Sequence, residues 1–199
     1  MATLHRLILA SGSYGRRELL KHAGYQFEVL PSNIDEHDGT GVTDPCRYVA
    51  ELAWQKAAAV ASLLAAKDSL ILAADSTVWH QNQIIGKPVD EADARRILGS
   101  LAGTIHQLWT GVCLWRVSDG TQVCYQELSE LYFKALTPAE LDHLIATKVW
   151  EGKAGGYGIE SHCDPFLTVR TGTISNVIGL PMESLAATLK WFAPELLPM

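Results

Sequence analysis

Apolar positions along the chain change period several times, and each change marks a predicted element. Leu4 to Ala10 is a short apolar run, read as a strand, and Ser11-Gly12-Ser13 is a turn. Arg16 to His22 reads as a helix ending near Gly24, and Phe27 to Leu30 as a second short strand closed by Pro31. Residues 32–44 are polar and rich in Asp, Gly and Thr, so they form a loop. Asp44 caps a long helix with Pro45 at its first position, and the helix runs to about Ala66. Leu70 to Ala74 is a continuous apolar run suited to a buried strand, and Val78 to Ile85 is a hairpin turning at Asn82.

Asp90 caps a helix to about Leu101. Thr104 to Val117 is extended, Asp119-Gly120 signals a hairpin turn, and Thr121 to Ala135 returns as the partner strand. Thr137 to Glu140 is a capping box opening a helix to about Thr147. Residues 151–158 are Gly-rich, Phe166 to Thr171 is a strand, and Pro181 to Phe192 a final helix. Mixed strands and helices make the fold class α/β. With 199 residues and no repeat or linker, the expectation is a single domain, 1–199.

Composition narrows the function classes. The chain is 48% apolar and 19% charged, ordinary for a packed globule. A formal charge of −6 argues against a broad duplex nucleic-acid surface but leaves room for a local cation cluster. No run approaches 18 apolar residues, and Leu7 to Ala10 is too short for a signal segment, so a cytoplasmic chain with no membrane span is expected. Cys46, Cys113, Cys124 and Cys163 form no C-x-x-C pair, which fits reduced thiols.

Three features are not explained by packing alone. Ser11 to Arg17 places two hydroxyls, backbone N–H groups and the guanidiniums of Arg16 and Arg17 where a strand passes into a helix. That equipment grips phosphate oxygens. Lys56 falls on the apolar stripe Val49, Leu52, Ala53, Val60, Leu63 and Leu64 of the long helix, where a lysine is rare unless paired. Asp75 directly follows the buried run, at the expected carboxyl end of a central strand, where open α/β sheets bind ligands. Each also has a plain structural reading: an N-cap serine with exposed arginines, a snorkelling stem, a turn-capping Asp. Lys87 can return a cation to the same mouth, and Asp35-Glu36 can join Asp75 around a hard divalent cation. The segment Gly152 to Glu160 is neither a Walker loop nor a Rossmann fingerprint.

Taken in order, these segments resemble the Maf family of nucleoside triphosphate pyrophosphatases. The resemblance runs from Leu9-Ala10-Ser11-Gly12-Ser13 with Arg16-Arg17 through Ile34-Asp35-Glu36 and Ala53-x-x-Lys56-Ala57. It continues with Ala74-Asp75-Ser76-Thr77-Val78, Gly86-Lys87-Pro88, Thr110-Gly111-Val112, Lys153 to Ile159 and Asn176 to Pro181. It implies a mixed sheet with flanking helices, two lobes around a central cleft, often in a homodimer. It also implies cleavage of a nucleoside triphosphate to monophosphate and pyrophosphate with a divalent metal, Mg²⁺ or Mn²⁺. The family's general base matches Asp75, its phosphate-handling cations match Arg16, Lys56 and Lys87, and its loop glutamate matches Glu36. Asp75 and Glu36 are the implied metal carboxylates, and Ser11, Ser13, Arg17 and Lys153 the further substrate contacts.

Three positions of the family choose the base, and here they are Gly15, Ser76 and Glu160. The branch acting on dTTP and UTP resembles Arg, Thr and Gln there, and the branch acting on 7-methyl-GTP resembles Trp, Gln and Glu. Glutamate only accepts hydrogen bonds, which suits the N–H donors of guanine, and Gly15 is expected to leave room for a larger base. The expectation is a purine-like or modified nucleotide; the alternatives are dTTP/UTP and a nucleotide-binding regulatory module without turnover.

Overall fold

The structure, a computed structural model, describes residues 4–65, 67–159 and 165–198. Its centre is a seven-stranded mixed sheet. The strands are β1 (Arg6–Leu9), β2 (Glu28–Val29), β3 (Ser69–His80), β4 (Gln83–Ile85), β5 (Ile105–Arg116), β6 (Gln122–Phe133) and β7 (Leu167–Thr171). Their order is β2-β1-β3-β5-β6-β7, with β4 on β3. β1 runs parallel to β2 and β3, and the other pairs are antiparallel. The helices are α1 (Tyr14–His22), α2 (Pro45–Leu63), α3 (Glu91–Leu101), α4 (Pro138–Ala146), α5 (Ile174–Ile178) and α6 (Met182–Phe192). Caps at Asp44, Asp90 and Thr137 stand as the sequence predicts.

β3, β5 and β6 are each 12 residues long, so each spans about 40 Å. That length lets one sheet carry two packing regions. At one end, Ile8, Ile71 and Ala73 meet Ala53, Ala57 and Val60 of α2, while Leu9, Leu70, Leu72 and Ala74 meet Leu20 of α1 and Leu185 and Leu189 of α6 on the opposite face. At the other end, Val78, Leu108, Leu131 and Phe133 pack against Ala94, Ile97 and Leu98 of α3 and Leu144 and Ile145 of α4. Each fully buried Leu contributes roughly 1.5–3 kcal/mol. Among the described residues no helix is long and apolar enough to cross a membrane.

Several elements differ from the sequence expectation. β3 does not stop at Ala74; it runs through Asp75 to His80, so Asp75 lies mid-strand and not at a carboxyl end. Asp75 keeps its ladder partner Gly111 on β5, and its carboxylate is met by Lys56, which removes the cost of an acid in a buried strand. α2 ends at Leu63, and Leu63, assigned to its inner stripe, is 66% exposed. It lies off the line of Ala53, Ala57 and Val60 at the last turn. α1 begins at Tyr14, earlier than Arg16, because Ser13 is its cap. α5 has no counterpart in the sequence reading; its five residues are too few to show a period.

The pairing pattern leaves a gap in the sheet. β1 accompanies β3 only as far as Leu72, and β4 joins only from Val78. Between these points, residues 73–77 of β3 are paired in the ladder only with β5. Asp75 and Ser76 lie at the middle of this gap.

Candidate active site

A cavity of about 850 Å³ opens at the gap. Its wall includes Ser11, Ser13, Gly15 and Arg16 from the β1–α1 junction, Glu36 from the long loop, and Asp75 and Ser76 from β3. Lys87 follows β4, and Lys153, Ala154 and Gly158 come from the Gly-rich segment. The fold thus gathers residues from distant stretches of chain at one place.

Adjacent residues of a strand face opposite sides. Asp75 shares the face of Ile71 and Ala73, which is covered by α2, and there its Oδ1 accepts from Lys56 Nζ at 2.5 Å. The same ammonium is 2.8 Å from Glu36 Oε1. Lys56 and Asp75 are both buried. α2 approaches this closely because Gly111 lies under it: a Cβ on Gly111 would stand 2.3 Å from the Val49 carbonyl oxygen. Burial opposes ionisation of Glu36. The Lys56 hydrogen bond and the charges of Lys56, Lys87 and Arg16 together outweigh it and hold Glu36 below the usual carboxylate range. The same cluster is felt at Tyr48, whose phenol is pushed up to about 12 by burial and by Asp75, Glu36 and Asp38.

On the other side, Arg16 is also buried, but its acceptors are neutral. Nε donates to the Gly179 carbonyl at 2.7 Å, Nη1 to Ser11 Oγ at 3.0 Å and Nη2 to Ser76 Oγ at 3.1 Å. Burial lowers the Arg16 pKa, with Asp75 and Glu36 opposing. Ser76 Oγ lies 2.9 Å from Thr110 Oγ1, which donates to the Asn176 carbonyl of α5. The short helix that periodicity misses is therefore what closes the back of this cluster. Ser13 Oγ accepts from the Arg16 N–H at the N-terminus of α1.

The expected site residues are mostly brought together, with differences. Lys56 sits behind Asp75 and Glu36, outside the cavity wall, so its ammonium is held by carboxylates. Arg17 does not line the cavity; one helical step turns it from Arg16, and its guanidinium lies 5.9 Å from the Tyr14 ring centroid. Glu160 and Cys163 lie outside the described residues. Gly15 lines the cavity and packs against α5: a Cβ there would be 2.8 Å from Ile178 Cγ2, so a side chain at this position has no space on that side. Tyr14, which drew no role from the sequence, lines the cavity and is 70% exposed. Its signal was an aromatic ring at the first position of a helix facing solvent.

Among the described residues no group of three or more His, Cys, Asp or Glu is arranged for a metal. The donor set still suits a hard cation: Asp75 and Glu36 already converge on one positive centre, the Lys56 ammonium, with oxygen atoms alone. Mg²⁺-type ions use one or two carboxylates and complete their shell with substrate oxygens and water.

The family model described as Maf-like protein matches residues 6–192. A dTTP/UTP pyrophosphatase of Pelotomaculum thermopropionicum is 36% identical over 194 residues, 98% of this chain and all of that protein. A dTTP/UTP pyrophosphatase of Bacillus cereus is 39% identical over 189 residues, 95% of this chain and 96% of its own. The chain belongs to the Maf-like protein family.

Proposed function

We propose that this Maf-like protein hydrolyses a nucleoside triphosphate to the monophosphate and pyrophosphate. The observation that carries the reading is the gap in β3. There the carboxylates of buried Asp75 and partly exposed Glu36 and a buried guanidinium flank one cavity, with Lys87 and Lys153 on its wall. The triphosphate lies along the second group. Arg16, Lys87, Lys153 and the N-terminus of α1 neutralise its charge and orient it. Asp75 receives the proton of the attacking water. Water oxygen forms the new bond to the α-phosphorus, the bond from that phosphorus to the bridging oxygen breaks, and pyrophosphate leaves with the electron pair. Lys56 engages Oδ1 of Asp75 and fixes the carboxylate, so the second oxygen serves as proton acceptor. Asp75 and Glu36 would hold a divalent cation, which supplies charge neutralisation on the phosphates when bound.

For the base, the reading now favours a pyrimidine of the dTTP/UTP kind over the purine-like one. The two relatives carry that activity in their names. Tyr14 offers an aromatic face at the rim for the base. Glu160 is what still speaks for a guanine-like base.

Product analysis tests this. The protein is incubated with common and methylated triphosphates and Mg²⁺ or Mn²⁺, beside Asp75→Asn. Monophosphate and pyrophosphate, fastest from dTTP or UTP and lost in the variant, is the expected result. Orthophosphate as product contradicts it. Binding without turnover moves the assignment to a regulatory module, and a preference for 7-methyl-GTP restores the purine-like base.

A further inference from the structure

His106 and Tyr157 are buried side by side and take no part in the chemistry above. His106 Nε2 and the Tyr157 hydroxyl share a hydrogen bond of 2.6 Å that joins β5 to the Gly-rich segment, 51 residues away in sequence. The Tyr157 ring is set by Phe133, edge-on at 5.8 Å, and His80 stands perpendicular to His106 at 6.5 Å. His106 Nδ1 and His80 Nε2 are buried without a partner. Leaving such atoms unmet carries a cost, so apolar packing alone does not explain two histidines here.

The Gly-rich segment is folded onto the Tyr157 ring. Gly155 adopts φ +73°, and a Cβ there would stand 2.7 Å from Tyr157 Cε1 and 3.0 Å from Val78 Cγ2. The Gly155 N–H donates to the Gly86 carbonyl at 3.0 Å, immediately before Lys87. Pro88, immediately after it, packs 3.2 Å from where a Gly156 Cβ would be. The Lys153 stem and ammonium lie across Gly158, 2.9–3.0 Å from the position a Cβ would take. Lys87 and Lys153 therefore both hang from the turn that Tyr157 anchors.

We infer that the His106–Tyr157 pair is the positioning anchor of the cation wall: it sets where Lys87 and Lys153 meet the triphosphate, without touching the reacting atoms. Tyr157 borders the cavity, but its hydroxyl is engaged by His106. The bond is between neutral groups. Burial, with His80 beside it, pushes His106 down to about 4, and burial pushes the Tyr157 phenol up. The anchor thus holds one geometry across the neutral range, as a positioning device should. The inference rests on the hydrolase reading, because the two lysines are assigned to a triphosphate there.

The test uses the full chain. Tyr157→Phe keeps the ring and removes only the hydroxyl. Loss of one neutral hydrogen bond predicts a KM for the triphosphate raised about 5-fold, with kcat within about 2-fold of wild type. His106→Phe should match it, and His106→Gln, which restores an amide near Nε2, should recover most of the affinity. Independently of activity, amide hydrogen exchange at Gly155 should accelerate in Tyr157→Phe. Phe133→Leu is the control for packing: it loosens the same cluster and keeps the bond. An unchanged KM and unchanged Gly155 exchange in Tyr157→Phe overturn the inference, and so does a Phe133→Leu variant that raises KM equally. If Tyr157→Phe does not fold, the two His106 variants decide, and equal KM values overturn it. If the wild type turns over no triphosphate, the hydrolase reading fails alone, and Gly155 exchange still decides whether the anchor exists.

Discussion

The two charged clusters either side of the gap in β3 are built from opposite logic. On the α2 face, one ammonium is shared by two carboxylates, so the cluster carries a net negative charge. On the α1 face, one buried guanidinium is held by two hydroxyls and a carbonyl, so its positive charge is met only by neutral acceptors. The first is electrostatically a site for a cation, and the second a site for an anion. On the proposed function, a cavity that borders both would receive the two halves of a metal-complexed polyphosphate, cation on one side and anion on the other. Pairing every charge within the protein would have produced a more inert core and a poorer receptor.

The largest effect is expected from removing the acid itself. Asp75→Asn should lower kcat about 10³-fold, the middle of the range for a positioned general base, while thermal unfolding stays cooperative. Pyrophosphate release measured beside a melting curve checks this. A variant with near-normal kcat would erase the chemical distinction between the two clusters.

Lys56→Met turns the negative cluster into two facing acids with no internal cation. Removing one partner of a buried pair costs roughly 3–5 kcal/mol, with the lower end expected because Glu36 is partly exposed. Denaturant unfolding at several pH values separates the causes. Glu36 has a lowered pKa in the folded chain, so its contribution is present above its ordinary value of 4.5 and is lost as the pH falls below that. Wild type should therefore lose stability in that acid window. Lys56→Met should lose little there, because its carboxylates gain from protonation.

Arg16→Lys keeps the charge of the positive cluster and removes its fork. Three donated hydrogen bonds cannot all be made by an ammonium in the same place, and a fall of about 10- to 100-fold in kcat/KM is expected. A loss confined to KM would mark Arg16 as a ground-state grip; an equal loss in kcat would place its contact in the transition state. The smallest effect belongs to the rim. Tyr14→Ala should raise KM about 3-fold with kcat unchanged, and Tyr14→Phe should not. Steady-state kinetics on dTTP and UTP check both.

Much of this comparison was legible in the residues, and the reasons for the rest are physical. Lys56 was visible because a lysine interrupts the stripe of Val49, Leu52, Ala53, Val60, Leu63 and Leu64, of which Ala53 and Val60 do lie in the core. Arg16 and Ser11 were visible because polar groups crowd a strand–helix junction. The central strand was misjudged because polarity at Asp75, Ser76 and Thr77 reads locally as an ending. Only the ladder to β5 and the arrival of Lys56 from another element keep it extended. The packing of Gly15 against Ile178 was hidden for the same reason: its neighbour comes from 163 positions later in the chain. His106 gave no signal beyond its place among apolar residues on β5, and its partner lies on a segment whose glycines conceal any period. Contacts between remote segments decide such positions, and a single sequence encodes them only through the finished fold.

The three long strands have a mechanical consequence. β3, β5 and β6 run from one packing region to the other, with β5 hydrogen-bonded along the crossing to both β3 and β6. A cleft bridged this way is a stiff beam with a notch in it, unlike two bodies joined by a hinge. Hinge closure needs a few residues that absorb large backbone rotations, and no crossing strand supplies them here. The spacing of the two packing regions is thereby fixed by the sheet itself. The Gly-rich lip is tied to β5 through Tyr157 and His106 as well, so the loop of residues 32–44 is the lip with the fewest ties to the sheet.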